Sequence, residues 1–140
     1  MSQNRTKAIV ILVTGDLLVL LSFVLIGRQN HALAVTSVIA TAQTAIPFIC
    51  GWFLVAPWFG LYRSEISRTF SKLLPRLVAV WLISVPVGHI IRALLLDRPI
   101  PAGIPITFVM VSLAYIGVVM LVWRSAYAWW QQRQTPGTEA

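Results

Sequence analysis

Charged residues are scarce in this chain: only 11% of its 140 residues are Asp, Glu, Lys or Arg. Soluble domains carry about a quarter charged residues. Because 58% of the residues are hydrophobic and the mean hydropathy is +0.81, most of the surface cannot face water. The deficit excludes an ordinary soluble domain and predicts one integral membrane domain.

Acidic residues are the rarer of the two charge types, with four Asp and Glu against eleven Lys and Arg. In a soluble chain the resulting net charge of +7 would indicate nucleic-acid binding. Here the cations flank apolar segments and form no stripe with aromatic residues, so we expect no nucleic-acid partner. Anionic lipids at the cytoplasmic face of a bilayer are the expected partner instead.

Residues that carry catalytic chemistry are missing as well. The chain contains no Gly-x-Ser-x-Gly, no His-Glu-x-x-His and no P-loop motif. Its two histidines and its single cysteine, Cys50, offer a poor ligand set for a metal, and one cysteine forms no intrachain disulfide. We therefore expect no enzyme activity, no metal and no cofactor.

Long apolar segments, in contrast, are abundant. Each is about twenty residues or more, which is enough for a helix to cross about 30 Å of hydrocarbon. Unbroken apolar runs favour helices over the strands of a barrel. The sequence predicts an all-α fold, a four-transmembrane-helix bundle within residues 1–130, followed by a disordered polar tail at 131–140. The predicted spans are 8–27, 36–56, 73–96 and 104–127.

The cations also predict the orientation of the bundle. Eight of them fall on one side of the predicted spans, whereas Arg28, Arg92 and Arg98 fall on the other. The positive-inside rule then places both termini in the cytoplasm of a multi-pass protein of the cell inner membrane. All six tryptophans lie in the half nearer that face, as an interfacial aromatic belt would. A cleaved signal peptide ending at residues 32–34 is the alternative for the first span.

Between the second and third spans, apolar residues recur at steps of three and four. This periodicity predicts a short amphipathic helix that lies on the inner leaflet, with Arg63, Arg68 and Lys72 near anionic headgroups. A frayed loop with chance periodicity is the alternative. The apolar residues of this stripe are Phe59, Tyr62, Ile66, Phe70 and Leu73.

Asp16 lies near the middle of the first span. A charged Asp there costs roughly 2.5–3.5 kcal/mol on insertion scales, so it must be paired, hydrated or protonated. We expect Asp16, Arg92 and Tyr115 to form an intramembrane polar site, with Tyr115 as a donor at comparable depth. Arg124 is expected to anchor the inner end of the fourth span, although its long side chain can reach up to the acid. Interhelical hydrogen bonding explains Asp16 almost as well as function does.

A second polar cluster is expected at the outer mouth of the bundle. It comprises Arg28, His31 and Asp97, with Arg28 and Asp97 as an ion pair. Each residue also has a purely structural alternative. The arginines can be snorkelling anchors at the interface, His31 can be an ordinary loop residue, and His89 can form an interhelical hydrogen bond. Other polar residues predicted at this height are Thr41, Gln43, Thr44, Arg92 and Arg98.

Four motifs in order resemble a known family. Asp16 is followed by "GRQNH", then come "TAIPFICG", "VWLISVPVGHIIR" and "TFVMVSLAYIGVVMLVWR", together covering about residues 10–125. The chain is similar to small bacterial and archaeal membrane proteins of domain-of-unknown-function family 3054, although Asn30 stands where a serine is expected. The resemblance implies a compact four-helix membrane protein without an assigned activity. The polar residues that it selects are Asp16, Arg28, His31, Arg92 and Arg124.

Two functions fit these observations. The first is a small transporter or channel-like subunit for an ion or small anion, with Arg28, His31 and Arg92 as an electropositive mouth above a protonatable Asp16. Four helices make a thin pathway, so this function implies a homodimer. The second is a non-catalytic accessory or assembly subunit of a larger membrane complex, in which the polar residues lock helices together.

Overall fold

Five helices make up the fold in the computed structural model, which describes residues 2–30 and 37–134. His31 and the possible cleavage site at 32–34 lie outside the described residues. Four helices are long and apolar enough to cross a membrane, which makes the chain a multi-pass membrane protein. The predicted all-α four-helix bundle is confirmed. The helices are α1 (Ser2–Asn30), α2 (Val38–Val55), α3 (Ser64–Ser67), α4 (Phe70–Leu95) and α5 (Ile106–Gln134).

The sequence explains where α2 begins, and the structure shows where α5 ends. Ser37 has an extended backbone and caps α2, because its side-chain oxygen accepts a hydrogen bond from the amide of Ala40 at 3.4 Å. α5 continues to Gln134, four residues into the segment predicted as a disordered tail. Residues 135–140 of that tail lie outside the described ranges. α1 extends beyond its predicted span at both ends and α5 at its C-terminal end, whereas α2 lies within its predicted span.

The four long helices pack in the cyclic order α1, α2, α4, α5 around one core. Their antiparallel course gives the bundle two ends. The terminal end carries the start of α1 and the end of α5, and the loop end carries the connection between α4 and α5. Large side chains fill the core between them, among them Leu20, Phe23, Phe48, Trp52, Leu77, Ile116 and Met120.

Helices α2 and α4 approach each other closely at Gly51. A Cβ atom added to Gly51 would lie 2.7 Å from the carbonyl oxygen of Ser84 and 2.9 Å from the amide nitrogen of Gly88. These neighbours are backbone atoms, which cannot rotate out of the way. Glycine at position 51 is therefore what allows α2 to press against α4.

Outward-facing positions of the bundle are apolar. Val38, Ile39 and Ile106 are at least 70% exposed, and Leu94 is 68% exposed. Such surfaces are unfavourable in water and favourable against lipid tails. The pattern agrees with the four candidate membrane spans.

The predicted short helix between the second and third spans is confirmed as α3. It has only four residues, and the stripe predicted to lie in the inner leaflet turns towards the bundle. Ile66 and Leu73 are buried at 4% and 0% exposure, so they cover the terminal end of the core. Arg63, Arg68 and Lys72 are exposed on the other side. The stripe therefore closes the bundle with its apolar face.

Candidate functional site

Asp16 lies at the centre of a buried hydrogen-bond network and is 0% exposed. Its Oδ1 accepts hydrogen bonds from Nε of Arg124 at 2.9 Å and from Nε1 of Trp123 at 3.2 Å. Its Oδ2 accepts from Nε1 of Trp52 at 2.9 Å, from the hydroxyl of Tyr62 at 2.8 Å and from Nη2 of Arg124. Five bonds from four side chains therefore satisfy this carboxylate.

Arg124 is the ionic partner of Asp16 and is itself 0% exposed. Its third nitrogen, Nη1, donates to the carbonyl oxygen of Leu61 at 2.9 Å, and its guanidinium lies 5.0 Å from the ring centre of Tyr62. The planar fork of arginine binds a carboxylate through two parallel bonds. The structure corrects the predicted inner-end anchor, because this side chain points into the core. It reaches Asp16, as the alternative interpretation of its long side chain allowed.

Small residues make room for this network. A Cβ atom added to Gly15 would lie 2.0 Å from Cζ2 of Trp123, so the indole packs directly on the α1 backbone beside Asp16. Gly15 thus leaves space beside Asp16 for an aromatic donor. A glycine directly before the acid is the signal in the sequence that could have indicated Trp123 as a partner of Asp16.

Tyr115 and Arg92 are not part of the Asp16 network. The hydroxyl of Tyr115 is hydrogen-bonded to Oγ of Ser22 at 3.0 Å, and Arg92 lies over the ring of Phe108. Tyr115 precedes Arg124 by nine residues, which is roughly 13 Å along a helix axis. The predicted intramembrane site is therefore corrected. Asp16 binds Trp123 and Arg124 in the C-terminal half of α5, and not Tyr115 in its N-terminal half.

The sequence predicts an interfacial belt for Trp52 and Trp123, and an apolar stripe for Tyr62. The structure shows that all three donate to a buried acid. Aromatic N–H and O–H groups need a partner when they are buried, and the sequence contained one in Asp16. The donors come from α2, the following turn and α5, so the network joins these elements to α1.

Tyr62→Phe should reveal how much one of these donors contributes. Tyr62 lies between α2 and α3, outside the candidate spans. Burial is the main cause that raises the pKa of its hydroxyl above the ordinary value near 10, and the charge of Asp16 is the second cause. At pH 7 the variant should lose about 1.5–3 kcal/mol of stability, because a hydrogen bond to a charged group is removed. Melting temperatures of both proteins in the same detergent measure this loss.

The same pair of proteins should show a pH dependence. Above about pH 10 the unfolded wild-type chain loses the Tyr62 proton while the folded protein keeps it, so folding becomes less favourable as pH rises. The advantage of wild type over Tyr62→Phe should therefore shrink by about 1 kcal/mol between pH 10 and 11. An advantage that stays constant over this range would contradict the raised pKa.

A cavity of about 440 Å³ lies at the loop end of the bundle. We name it the arginine cavity, because Arg28 of α1, Arg92 of α4 and Arg98 of the following loop all line it. Counting along the predicted spans had placed these three at one height, and the structure brings them together. The other lining residues are Phe23, Val24, Gly27, Thr44, Pro105, Thr107, Phe108 and Val111.

The charge of the arginine cavity is entirely positive. No aspartate or glutamate is among its lining residues within the described ranges. Nε of Arg92 is buried and has no hydrogen-bond partner among the described residues. The guanidinium of Arg92 lies 5.2 Å from the ring centre of Phe108. A buried donor without an acceptor is costly, and an anion in the cavity would supply the acceptor.

Asp97 is not among the lining residues of the cavity. Asp97 is an exposed loop residue, and the only ion pair formed within the described ranges is Arg124 with Asp16, so the predicted pair of Arg28 with Asp97 is corrected. His89 does not line the cavity. Its Nε2 is 2.7 Å from Oγ of Ser112, and its ring packs edge-on against Phe48 and Phe108 at 5.0 Å.

Comparison with known proteins identifies the family. The model of a family described as "Protein of unknown function (DUF3054)" matches residues 13–127, which include Asp16, Arg124 and the three arginines of the cavity. No curated protein and no solved structure matches the chain. Because the match covers most of the sequence, the chain belongs to this family of proteins of unknown function, DUF3054.

Proposed function

We propose that the protein binds small oxyanions in the arginine cavity, as a small membrane transporter or channel-like subunit. The observation that carries the proposal is the convergence of Arg28, Arg92 and Arg98 on one cavity. Guanidinium groups bind carboxylate and phosphate oxygens through several parallel hydrogen bonds. A second observation supports an anionic ligand: Nε of Arg92 is buried and has no hydrogen-bond partner among the described residues, so it needs an acceptor.

Asp16 has a different role in this proposal from the protonatable site that the sequence suggested. The acid is 0% exposed, and both of its oxygens accept bonds from buried donors. No atom of this carboxylate is exposed, and both of its oxygens are used within the network. We therefore assign Asp16 to holding the helices together, and we assign ligand binding to the cavity.

The orientation belongs to the proposal as well. Both termini would lie in the cytoplasm at the cell inner membrane, as the distribution of cations indicates. The arginine cavity would then lie in the outer half of the bilayer, and exposed Arg63, Arg68 and Lys72 would meet anionic lipids of the inner leaflet. A homodimer would supply the pathway that four helices are too few to enclose. Catalysis and nucleic-acid binding have no part in this function.

Arg92→Gln should weaken anion binding. The variant removes a charged donor from the cavity, and a hydrogen bond to a charged group contributes about 1.5–3 kcal/mol. We expect the Kd for inorganic phosphate to rise about 10- to 100-fold. Equilibrium binding of radiolabelled phosphate to protein in nanodiscs of neutral lipid measures the change.

Arg76→Gln is the matched control, because it makes the same charge change on the same helix. Arg76 is exposed and lies sixteen residues from Arg92, about 24 Å along the axis of α4. Its phosphate affinity should stay within about twofold of wild type. Equal losses in both variants would show a general charge effect and would contradict a specific site, as would wild type without saturable binding.

An accessory or assembly subunit remains the second candidate, and one observation favours it. The sealed Asp16 network connects three long helices and exposes no atom of Asp16 or Arg124, as an interhelical lock would. Affinity purification from native membranes under mild detergent separates the two functions. A large partner present at fixed stoichiometry, together with no phosphate flux in proteoliposomes, would support the accessory subunit.

A further inference from the structure

The arginine cavity has an apolar side next to its charged side. The rings of Phe23 and Phe108 are stacked there, with their centres 6.0 Å apart and their planes 21° from parallel. Val24 of α1 and Val111 of α5 extend this surface, and the Val111 residue is 59% exposed. An inorganic anion bound to the arginines would make no use of this surface.

The charged and apolar sides are contiguous. The guanidinium of Arg92 lies 5.2 Å from the ring centre of Phe108, and both residues line the cavity. A ligand held by Arg92 through an anionic oxygen would therefore place its next atoms against an aromatic face. The cavity volume of about 440 Å³ falls within the range of pockets that bind small organic molecules.

We infer that the ligand of this cavity is an amphiphilic anion: a soluble carboxylate or phosphate monoester with a short alkyl or aryl group. This inference rests on the proposed function and names its ligand class. Removing apolar groups from water is favourable in proportion to the area buried. Each methylene placed against Phe23, Phe108 and Val111 should therefore increase affinity about three- to fourfold.

A chain-length series tests the inference. Inorganic phosphate, methyl, ethyl, propyl and butyl phosphate are titrated against the full-length protein in nanodiscs of neutral lipid. We expect affinity to rise about three- to fourfold per methylene, so that butyl phosphate binds at least 30-fold more tightly than inorganic phosphate. Equal affinities along the series would overturn the inference. If phosphate then still binds in an Arg92-dependent manner, the proposed function stands without it.

Val111→Ala and Val118→Ala form a matched pair for the same titrations. Both valines are exposed on α5 to a similar degree, 59% and 61%, but only Val111 lines the cavity. Val111→Ala should lower the ratio of butyl phosphate to inorganic phosphate affinity about two- to fourfold. Val118→Ala should leave the ratio unchanged. The reverse result, or the same drop in both variants, would place the alkyl group outside the cavity and overturn the inference.

The same chemistry could come from a phospholipid headgroup, and native mass spectrometry distinguishes the two sources. The wild-type protein purified from its membranes should carry no phospholipid whose retention depends on Arg92. One phospholipid retained by wild type and lost from Arg92→Gln, but kept by Arg76→Gln, would assign the cavity to a lipid. That result would overturn the soluble ligand while leaving anion binding intact.

Discussion

Arg124→Met should lower the free energy of unfolding by about 3–5 kcal/mol, the largest effect that we expect from a single substitution in this protein. The variant leaves Asp16 buried at 0% exposure without its ionic partner. It also leaves the carbonyl oxygen of Leu61 without the Nη1 donor. The melting temperature in detergent should fall by about 10 °C or more.

The double variant Asp16→Asn with Arg124→Met, measured together with the single variant Asp16→Asn, is the control for this result. Removing both charges avoids an unpaired buried ion, so the double variant should be more stable than the sum of the two single losses predicts. We expect a coupling energy of about 2–3 kcal/mol from the complete cycle. Strictly additive losses would show that the two side chains do not act as a pair.

Gly51→Ala should destabilise the contact between α2 and α4 by about 1–3 kcal/mol. The new Cβ atom would lie 2.7 Å from the backbone oxygen of Ser84 and 2.9 Å from the backbone nitrogen of Gly88. Because neither atom belongs to a flexible side chain, the two helices must move apart. Melting temperature and cross-linking between α2 and α4 measure the effect.

Gly27→Ala is the control for Gly51→Ala, because it makes the same substitution at a position where the added methyl group has space. Gly27 lies within α1, and an added Cβ atom would meet nothing within 4 Å beyond the helix itself. Alanine is favoured over glycine in a helix by about 0.5–1 kcal/mol, so this variant should be slightly more stable than wild type. If Gly51→Ala is tolerated equally well, the close approach of α2 and α4 is not what the glycine provides.

The arginine cavity shows how far counting along a sequence can reach. Each helical residue advances about 1.5 Å, so the number of residues from a span's end predicts depth in the membrane. This counting placed Arg28, Thr44, Arg92 and Arg98 together, and all four line the cavity. It placed Thr41, Gln43, His89 and Asp97 at the same height, and these four are not among the lining residues. It could not show that Phe23 and Phe108 supply an aromatic side, because apolar residues occur at every height.

The Asp16 network shows where such counting fails. Tyr115 has suitable chemistry and an apparently matching depth, yet it bonds to Ser22. The aromatic donors to Asp16 are Trp52, Tyr62 and Trp123. The sequence pattern explains the two tryptophans as an interfacial belt and Tyr62 as part of an apolar stripe, so it gives no reason to pair them with the acid. Their role depends on which way each helix is rotated, and on the space that Gly15 leaves for Trp123.

The sequence by itself determined that this chain is a multi-pass helical membrane protein with a short helix between its second and third spans. Apolar runs of this length can satisfy their backbone in lipid only as helices or closed barrels, and they lack the alternation of barrel strands. Only the tertiary structure decided that Arg124 is the partner of Asp16 and that the three arginines at the loop end share one cavity. Partner choice depends on helix rotation and on the close approaches that glycines permit, which hydrophobicity does not encode.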